Sequence, residues 1–326
     1  MPNSLWNCTS PSPELMPRHE LWRRHYREIR YARHLNRPEL AKRIRDIFLN
    51  LLMLSPEGKI GLPSISPHLD IWMQKWTHVL EEMALRYGPY PAGMDRDILH
   101  SEPFPNLASE LGRRAAVRLG SLAVQRGDVF VKLGKRHHME MLHREGRLRI
   151  QPASFFSNTV HNGAIRDDEL TMPISIALNR AQIVQLVRNP HDVPADVPEQ
   201  RIDVEFAFQG DFWLYCVTNA ALPRHFVDFD AEACVVIRDR VAFRSRLVNA
   251  ASAVLRGATM HEGDAVYIDP LLPKSSDVFV PLVKHFGYTY QDEYRFCWIP
   301  SPSTAPLCHV DLGIGSLTDI ADLIML

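Results

Sequence analysis

The sequence predicts an α+β protein, with a helical N-terminal domain over residues 1–124 and a mixed-sheet domain over residues 125–326. Two observations carry this prediction. Apolar residues recur at helical spacing in the first third, as in Trp22, Tyr26 and Ile29. In the remainder, short β-favouring runs mix with short helical segments and polar connectors, which favours an α+β sheet over a regular doubly wound one.

The helical region divides into four predicted helices. Pro38 separates the first helix from the second, whose apolar positions run over residues 40–51. A third helix follows the loop at residues 63–68, in which Ser66 is a candidate N-cap. The fourth covers residues 107–119 and has a basic side.

The second domain begins with a strand at 128–133, a helix at 136–145 and a strand at 147–150, and Gly146 is the expected C-terminal cap of that helix. Further strands are predicted at 204–208, 212–217, 233–237, 265–268, 294–299 and 308–312. Further helices are predicted at 175–187, 240–256 and 316–325.

Composition excludes several function classes. Hydrophobic residues make up 46% of the chain, charged residues 23%, and the net charge is -1, which gives no global preference for nucleic acid or anionic lipid. Five cysteines without a C-x-x-C pair predict a reduced protein. Neither an export signal nor a membrane-spanning run is recognisable, so we expect a cytoplasmic protein that does not bind membranes.

The segment Tyr288–Trp298 is where polar chemistry is most concentrated. Gln291 and Glu293 stand two residues apart at the entrance of a strand-like run, so we expect them to share one strand face. The alternative is a solvated face or a cross-strand ion pair that includes Arg295.

The first helix interleaves arginines with aromatic residues. Arg23, Arg24, Arg27 and Arg30 suit contact with nucleic acid or another acidic partner. The same pattern also fits an amphipathic helix that packs its Trp22 stripe on the protein body, and the interleaved glutamates favour this second interpretation.

Two clusters invite a metal interpretation, but we predict no metal site. The histidines His137, His138 and His143 lack the H-E-x-x-H spacing and favour a solvated helix face. The acids Asp167, Asp168 and Glu169 could hold a hard cation, as in a metal-dependent nuclease, yet such a cluster in a loop is more often a turn or cap. No Gly-x-Ser-x-Gly elbow is present, so triad hydrolysis is disfavoured.

Four short segments occur in an order that suggests a relationship to known proteins. They are Phe130–Gly134, Gly146–Ser157, Arg166–Glu169 and Tyr290–Phe296. With them, the C-terminal two-thirds resembles a large bacterial family of uncharacterised proteins. More distantly, the order of a strand, a helix, a strand with serine and a late Gln-x-Glu looks like the ADP-ribosyltransferase fold.

This resemblance implies roles for particular residues. Glu293 would be the catalytic carboxylate, which stabilises the oxocarbenium-like transition state, and Gln291 would position the acceptor. The residues implied to contact NAD are Lys132, Arg136, Ser154 and Ser157. Lys132 stands where the family has arginine or histidine, and it offers a point charge instead of a forked grip.

The sequence therefore leads to two hypotheses. The first is NAD-dependent transfer of ADP-ribose to a macromolecule, which requires Lys132, Ser154 and Glu293 to meet in one cleft. The second is a non-enzymatic effector or sensor of a bacterial toxin or antiphage defence system, which would bind nucleic acid or protein through the helices over residues 18–45.

Overall fold

The structure is a computed structural model that describes residues 16–55, 57–62, 69–88, 104–122, 124–160, 162–178, 200–273, 278–301 and 306–326. Ser66 and residues 179–187, for which we predicted a cap and most of a helix, lie outside these ranges. Chain contacts divide the protein into two compact units. The first comprises Met1–Phe48 and Ser64–Ser101, and the second Leu49–Pro63 and Glu102–Leu326.

The described helices are α1 (Arg18–Ile29), α2 (Arg37–Leu51), α3 (Leu69–Tyr87), α4 (Glu110–Gly120), α5 (Arg136–Glu145), α6 (Pro223–Asp228) and α7 (Arg240–Val254). The α+β class is confirmed, with a helical N-terminal region. Helix α4 and the end of α2, which the sequence-based division places in the N-terminal domain, belong to the second unit. None of the described helices is long and apolar enough to cross a membrane.

The described strands begin with β1 (Met53–Leu54), β2 (Ile60–Gly61), β3 (Phe130–Gly134), β4 (Arg147–Pro152), β5 (Thr171–Leu178), β6 (Gln200–Ala207) and β7 (Trp213–Thr218). The remaining ones are β8 (Ala233–Ile237), β9 (Thr259–Asp264), β10 (Val266–Ile268), β11 (Val283–His285), β12 (Glu293–Ile299), β13 (Val310–Gly313) and β14 (Ala321–Met325). Within the described ranges, 3-10 segments cover Ala153–Ser157, Val280–Leu282 and Phe286–Gln291.

The first unit is held by two glutamates of α3 that are buried against α1. Glu81 accepts from Arg23 and Arg27, each at 2.6 Å. Glu82 is fully buried and accepts from the Tyr26 hydroxyl at 2.6 Å. Arginines that point from α1 therefore act as internal partners of α3.

The main sheet of the second unit forks at β7. Along one edge, β7 pairs with β12 from Trp213 to Thr218, and β12 then pairs with β9. Along the other edge, β7 pairs with β4 at Trp213 and Leu214, but with β3 only at Thr218. One branch continues from β3 to β8 and β14, and the other continues from β4 to β13. Strands β3 and β4 therefore diverge from the same strand, β7.

Helices cover both faces of the β3 branch. On one face, Met139 of α5 and Phe243 of α7 belong to the main core. On the other face, Leu119 of α4 and Phe226 of α6 form a second cluster. Strand β8 contributes alternate residues to both clusters and is fully buried, which is why its sequence is a continuous apolar run.

One helix prediction is wrong, and a second is wrong in the part that the structure describes. Residues 316–325 have helical spacing, yet Ala321–Met325 form β14, which pairs with the buried strand β8 over five residues. Residues 175–187 begin with the end of β5, which pairs with β6 over eight residues. In both places, backbone pairing with a neighbouring strand outweighs local periodicity, which is a weak constraint for short segments.

Gly146 ends α5 as predicted. Its φ of 67° is left-handed, and its N–H donates to Leu142 O. Its carbonyl accepts from Ile314 N at 2.9 Å, which draws the backbone of Gly315 alongside. A Cβ at this position would lie 1.9 Å from the Gly315 oxygen. Only glycine therefore satisfies both the cap and the close approach.

We predict that Gly146→Ala lowers the free energy of unfolding by about 2 kcal/mol or more. Alanine is strained in the left-handed conformation, and its Cβ would also clash with the Gly315 backbone. Urea denaturation at constant pH would measure the change. Gly313→Ala is the matched control, since a Cβ there meets no atom within 4 Å. Equal stability of the two variants would contradict this account of the close approach.

Candidate functional site

A cavity of about 330 Å³ opens at the fork of the sheet. Its walls include Lys132 of β3, Cys216 and Thr218 of β7, and Glu293 at the start of β12. Gln291, from the 3-10 segment before β12, also lines it. Three residues that the sequence singles out for chemistry, Lys132, Gln291 and Glu293, thus meet in one cavity.

The other residues predicted to contact NAD lie elsewhere. The Ser154 hydroxyl donates to the Asp211 carboxylate at 2.6 Å, and the Ser157 hydroxyl donates to Ser154 O at 2.9 Å. Arg136 donates to Leu326 O at 3.0 Å. None of the three is among the residues that line the cavity. The predicted meeting of Ser154 with Lys132 and Glu293 is therefore not what the structure shows.

The turn before β12 corrects the expectation that Gln291 and Glu293 share a strand face. Gln291 ends the 3-10 segment, Asp292 is left-handed with a φ of 48°, and the strand begins only at Glu293. Asp292 is held by Arg126, whose two nitrogens each lie 2.6 Å from its carboxylate oxygens. The left-handed residue, and not strand alternation, turns both side chains toward the cavity.

Glu293 belongs to a buried cluster of ion pairs. Its Oε2 lies 2.8 Å from Lys284 Nζ of β11, and its Oε1 accepts from Arg295 Nε at 2.8 Å. Glu169, before β5, contacts the same cations: its Oε1 lies 3.3 Å from Lys284 Nζ, and its Oε2 lies 2.6 Å from Arg295 Nη2, without hydrogen-bond geometry. All four residues are less than 10% exposed. We call these four residues the ionic cluster.

The cluster keeps the Glu293 carboxylate charged. Burial by itself would raise the pKa of Glu293, but the charges of Arg295 and Lys284 outweigh burial and hold this pKa well below its usual range. Burial likewise opposes the charge of Lys284, yet Glu169 and Glu293 raise the Lys284 pKa well above its ordinary value. Each charge is retained because an opposite charge lies beside it.

Asp167 stands beside the cluster as a third carboxylate facing two cations. Its Oδ2 lies 3.9 Å from Lys284 Nζ, and its side chain is 16% exposed. Burial, together with repulsion from Glu169, raises the pKa of Asp167 to about 7. The neighbouring Asp168 instead caps the chain, since it accepts from Leu170 N and from the Thr171 hydroxyl. The predicted turn or cap at this acidic run therefore describes Asp168 but not Glu169.

Lys132 bridges the gap where β3 and β7 are not paired. Its Nζ donates to Cys216 O at 2.7 Å and lies 4.5 Å from the centre of the Tyr215 ring. Burial lowers the pKa of this lysine. Among the described residues, no carboxylate lies within ion-pair distance of Lys132, which distinguishes it from Lys284.

A second cavity of about 590 Å³ lies on the other side of the free half of β3 and shares Lys132, Leu133 and Gly134 with the first. Tyr215 also lines it, and its buried hydroxyl has no hydrogen-bond partner among the described residues. Lys132 therefore faces two neighbouring spaces at the fork.

In the described part of the chain, no group of three or more His, Cys, Asp or Glu side chains could hold a metal ion. His143 of the histidine run hydrogen-bonds with Ala321 O at 3.0 Å. In the acidic run, Glu169 contacts Lys284 and Arg295.

Sequence reasoning missed Lys284. It considered Arg295 only for an ion pair and Glu169 only for an acidic cluster, and it assigned neither to this site. A signal existed for Arg295, which follows Glu293 at strand spacing inside an apolar run, where a lone charge needs a partner. Lys284 carries no local signal, because its role depends on how β11 packs.

Comparisons with known proteins give no relative: no protein-family model matches the chain, and neither does a curated protein or a solved structure. The resemblance to ADP-ribosyltransferases therefore stays a prediction.

We predict that Asp167 makes the protein less stable as pH rises. Its pKa in the folded state lies above its ordinary value of 3.8, so folding holds a proton that the unfolded chain releases. That contribution is full near pH 4 and is lost as pH rises through about 7. Asp167→Asn should remove it and change the difference in unfolding free energy between pH 5 and 7 by about 2 kcal/mol.

Urea denaturation across this pH interval would measure the effect. Asp168→Asn is the matched control, because it alters the exposed neighbour and keeps an oxygen that can cap Leu170. Identical pH dependence in the wild type and Asp167→Asn would show that Asp167 does not titrate against the ionic cluster.

Proposed function

We propose that the second unit cleaves NAD and transfers ADP-ribose to a macromolecule, with Glu293 as the catalytic carboxylate. The supporting observation is that Lys132, Gln291 and Glu293 line a single cavity at the fork of the sheet. Its volume of about 330 Å³ lies at the lower end of the range of small-molecule sites and suits the nicotinamide riboside part of NAD.

The chemistry calls for a fixed negative charge. When the bond between ribose C1 and nicotinamide breaks, the electron pair leaves with neutral nicotinamide and C1 becomes cationic. An acceptor nucleophile then bonds to C1 and releases a proton. A carboxylate beside C1 stabilises this cation, and a buried site strengthens the effect. Glu293 meets this need because Arg295 and Lys284 keep it ionised.

The ion pairs orient Glu293 and still leave it able to bind a substrate. Arg295 holds Oε1 and is fully buried, so this bond fixes the carboxylate plane. Lys284 holds Oε2 but also faces Glu169 at 3.3 Å. A ribose hydroxyl can therefore bind Oε2 without leaving the ammonium of Lys284 unpaired.

Among the described residues that line the cavity, Lys132 is the lysine without a carboxylate partner, so it is the cation that we assign to the substrate. Its ammonium contacts a backbone carbonyl and an aromatic face, both neutral, so an anionic or carbonyl oxygen of the nucleotide can bind it without competing with a carboxylate. Gln291 is more constrained, because its Nε2 donates to Ala164 O at 2.7 Å. In this proposal, Gln291 faces the acceptor side of the cavity.

Binding of nucleic acid or an acidic protein through the first helix remains the alternative. Arg23 and Arg27 already contact Glu81, and Arg30 contacts Glu82 at 3.0 Å. Arg24 Nε lies 3.4 Å from Glu28 Oε1, so all four arginines predicted to meet a partner have carboxylate partners within the first unit. These contacts favour the interpretation of α1 as a packed helix, so the enzymatic function is the one we propose.

We predict that Glu293→Gln lowers the rate of NAD cleavage by at least about 100-fold, because a neutral amide cannot stabilise the cation at C1. Nicotinamide release, followed by chromatography, would measure it. NAD affinity should change much less, since the lost interaction acts mainly in the transition state.

Glu262→Gln is the control, as it removes a carboxylate from the adjacent strand β9 that does not line the cavity. It should retain wild-type cleavage. Thermal unfolding of both variants would confirm that they fold. Full NAD consumption by folded Glu293→Gln would remove Glu293 from the proposed mechanism.

A further inference from the structure

The 3-10 segment that carries Gln291 is held by the C-terminal end of α2. Asn50, the penultimate residue of that helix, is 6% exposed. Its Nδ2 lies 2.8 Å from Gly287 O and 3.4 Å from Phe286 O, and donates to both. Its Oδ1 accepts from the Tyr290 N–H at 2.8 Å. One buried amide thus satisfies three backbone groups of a six-residue segment.

Arg224 of α6 supplies a second tie between these elements. It donates to Leu49 O at 2.8 Å and to Leu52 O at 2.6 Å, which are carbonyls at the end of α2. The same guanidinium lies 4.0 Å from the centre of the Tyr290 ring. It is 1% exposed, and its charge is paired with Asp228. The end of α2 is therefore fixed against the residue that precedes Gln291.

The position of this segment sets the position of the site. Gln291 follows Tyr290 directly, and the left-handed Asp292 leads into Glu293. His225 adds a third tie to Tyr290, because its Nε2 hydrogen-bonds with Tyr290 O at 2.8 Å. A shift of Tyr290 would therefore move Gln291 relative to the cavity wall formed by β3.

We infer that Asn50 is a positioning residue for the proposed reaction, which it serves by fixing the segment Phe286–Gln291 so that Gln291 and Glu293 face the cavity together. Asn50 does not itself line the cavity, so it acts through the segment that it binds. The inference rests on the proposed function, whereas the hydrogen bonds of Asn50 can be tested without it.

Two variants separate the bonds of Asn50. Asn50→Leu removes the donor and the acceptor together. Asn50→Asp keeps an oxygen for the Tyr290 N–H but, when ionised, loses the donors to Gly287 and Phe286. Lys42→Ala is the matched control on the same helix, since it removes the ion pair between the exposed Lys42 and Asp46 and leaves the bonds of Asn50 in place.

Amide hydrogen exchange resolved at Tyr290 is the first measurement. We expect exchange to accelerate by about tenfold or more in Asn50→Leu and to change less in Asn50→Asp and Lys42→Ala, as one lost buried hydrogen bond predicts. Unchanged protection of Tyr290 in Asn50→Leu would overturn the inference, because the segment would then be held without Asn50.

NAD cleavage is the second measurement. A positioning role predicts that kcat, corrected for the folded fraction, falls by about tenfold in both Asn50 variants while KM changes less. Unchanged kcat in folded Asn50→Leu would overturn the catalytic role. If the wild type leaves NAD intact, the proposed function fails and the catalytic role fails with it, while exchange at Tyr290 still decides whether Asn50 holds the segment.

Discussion

The ionic cluster of Glu169, Lys284, Glu293 and Arg295 is the constraint on which the cavity depends. Folding removes these four charged groups from water. The desolvation of each group costs several kcal/mol, and only pairing with an opposite charge offsets this cost. The geometry meets this condition because each carboxylate contacts both cations. The loop before β5, strand β11 and strand β12 must therefore come together as one unit, or a buried charge is left without a partner.

The same cluster explains how the end of a strand can carry a buried, ionised carboxylate. A carboxylate at the edge of a sheet would ordinarily face water and titrate as in a peptide. Here β7 separates from β3 after a single pair, which opens a space beside Glu293 that Lys132 spans. The fork supplies the space, the cluster supplies a fixed charge, and the turn at Asp292 directs Gln291 and Glu293 into it.

Much of the fold could be predicted from sequence where local signals agree with tertiary packing. Helix α5 and strand β8 have the predicted bounds, because a helical period with a glycine cap and a continuous apolar run are unambiguous. The secondary structure of residues 316–325 could not be predicted correctly, since their apolar spacing suits a helix as well as a strand. In the structure, Ala321–Met325 form the strand that pairs with β8. The strength of pairing with β8 is not visible in the local sequence.

The site was predictable only in part for a related reason. Gln291 and Glu293 stand out because polar residues border an apolar strand. Lys284 does not stand out, because the sequence Pro-Leu-Val-Lys-His looks the same as that of a lysine on the surface. Its role becomes visible only when the fold places Lys284 of β11 next to Glu293 of β12. Ser154 follows the expected strand, yet its hydroxyl turns to Asp211 at the opposite end of the fork. Long-range placement, and not residue type, decides membership of the site.

The ionic cluster holds Glu293 as a carboxylate, and the ionisation of this group can be followed in the intact protein. Carboxyl carbon NMR of protein labelled at glutamate, with the resonance assigned by its loss in Glu293→Gln, would follow this group as pH is lowered. We expect Glu293 to remain ionised below the ordinary glutamate range for as long as the protein stays folded. Titration at or above pH 4.5, the ordinary glutamate value, would contradict it.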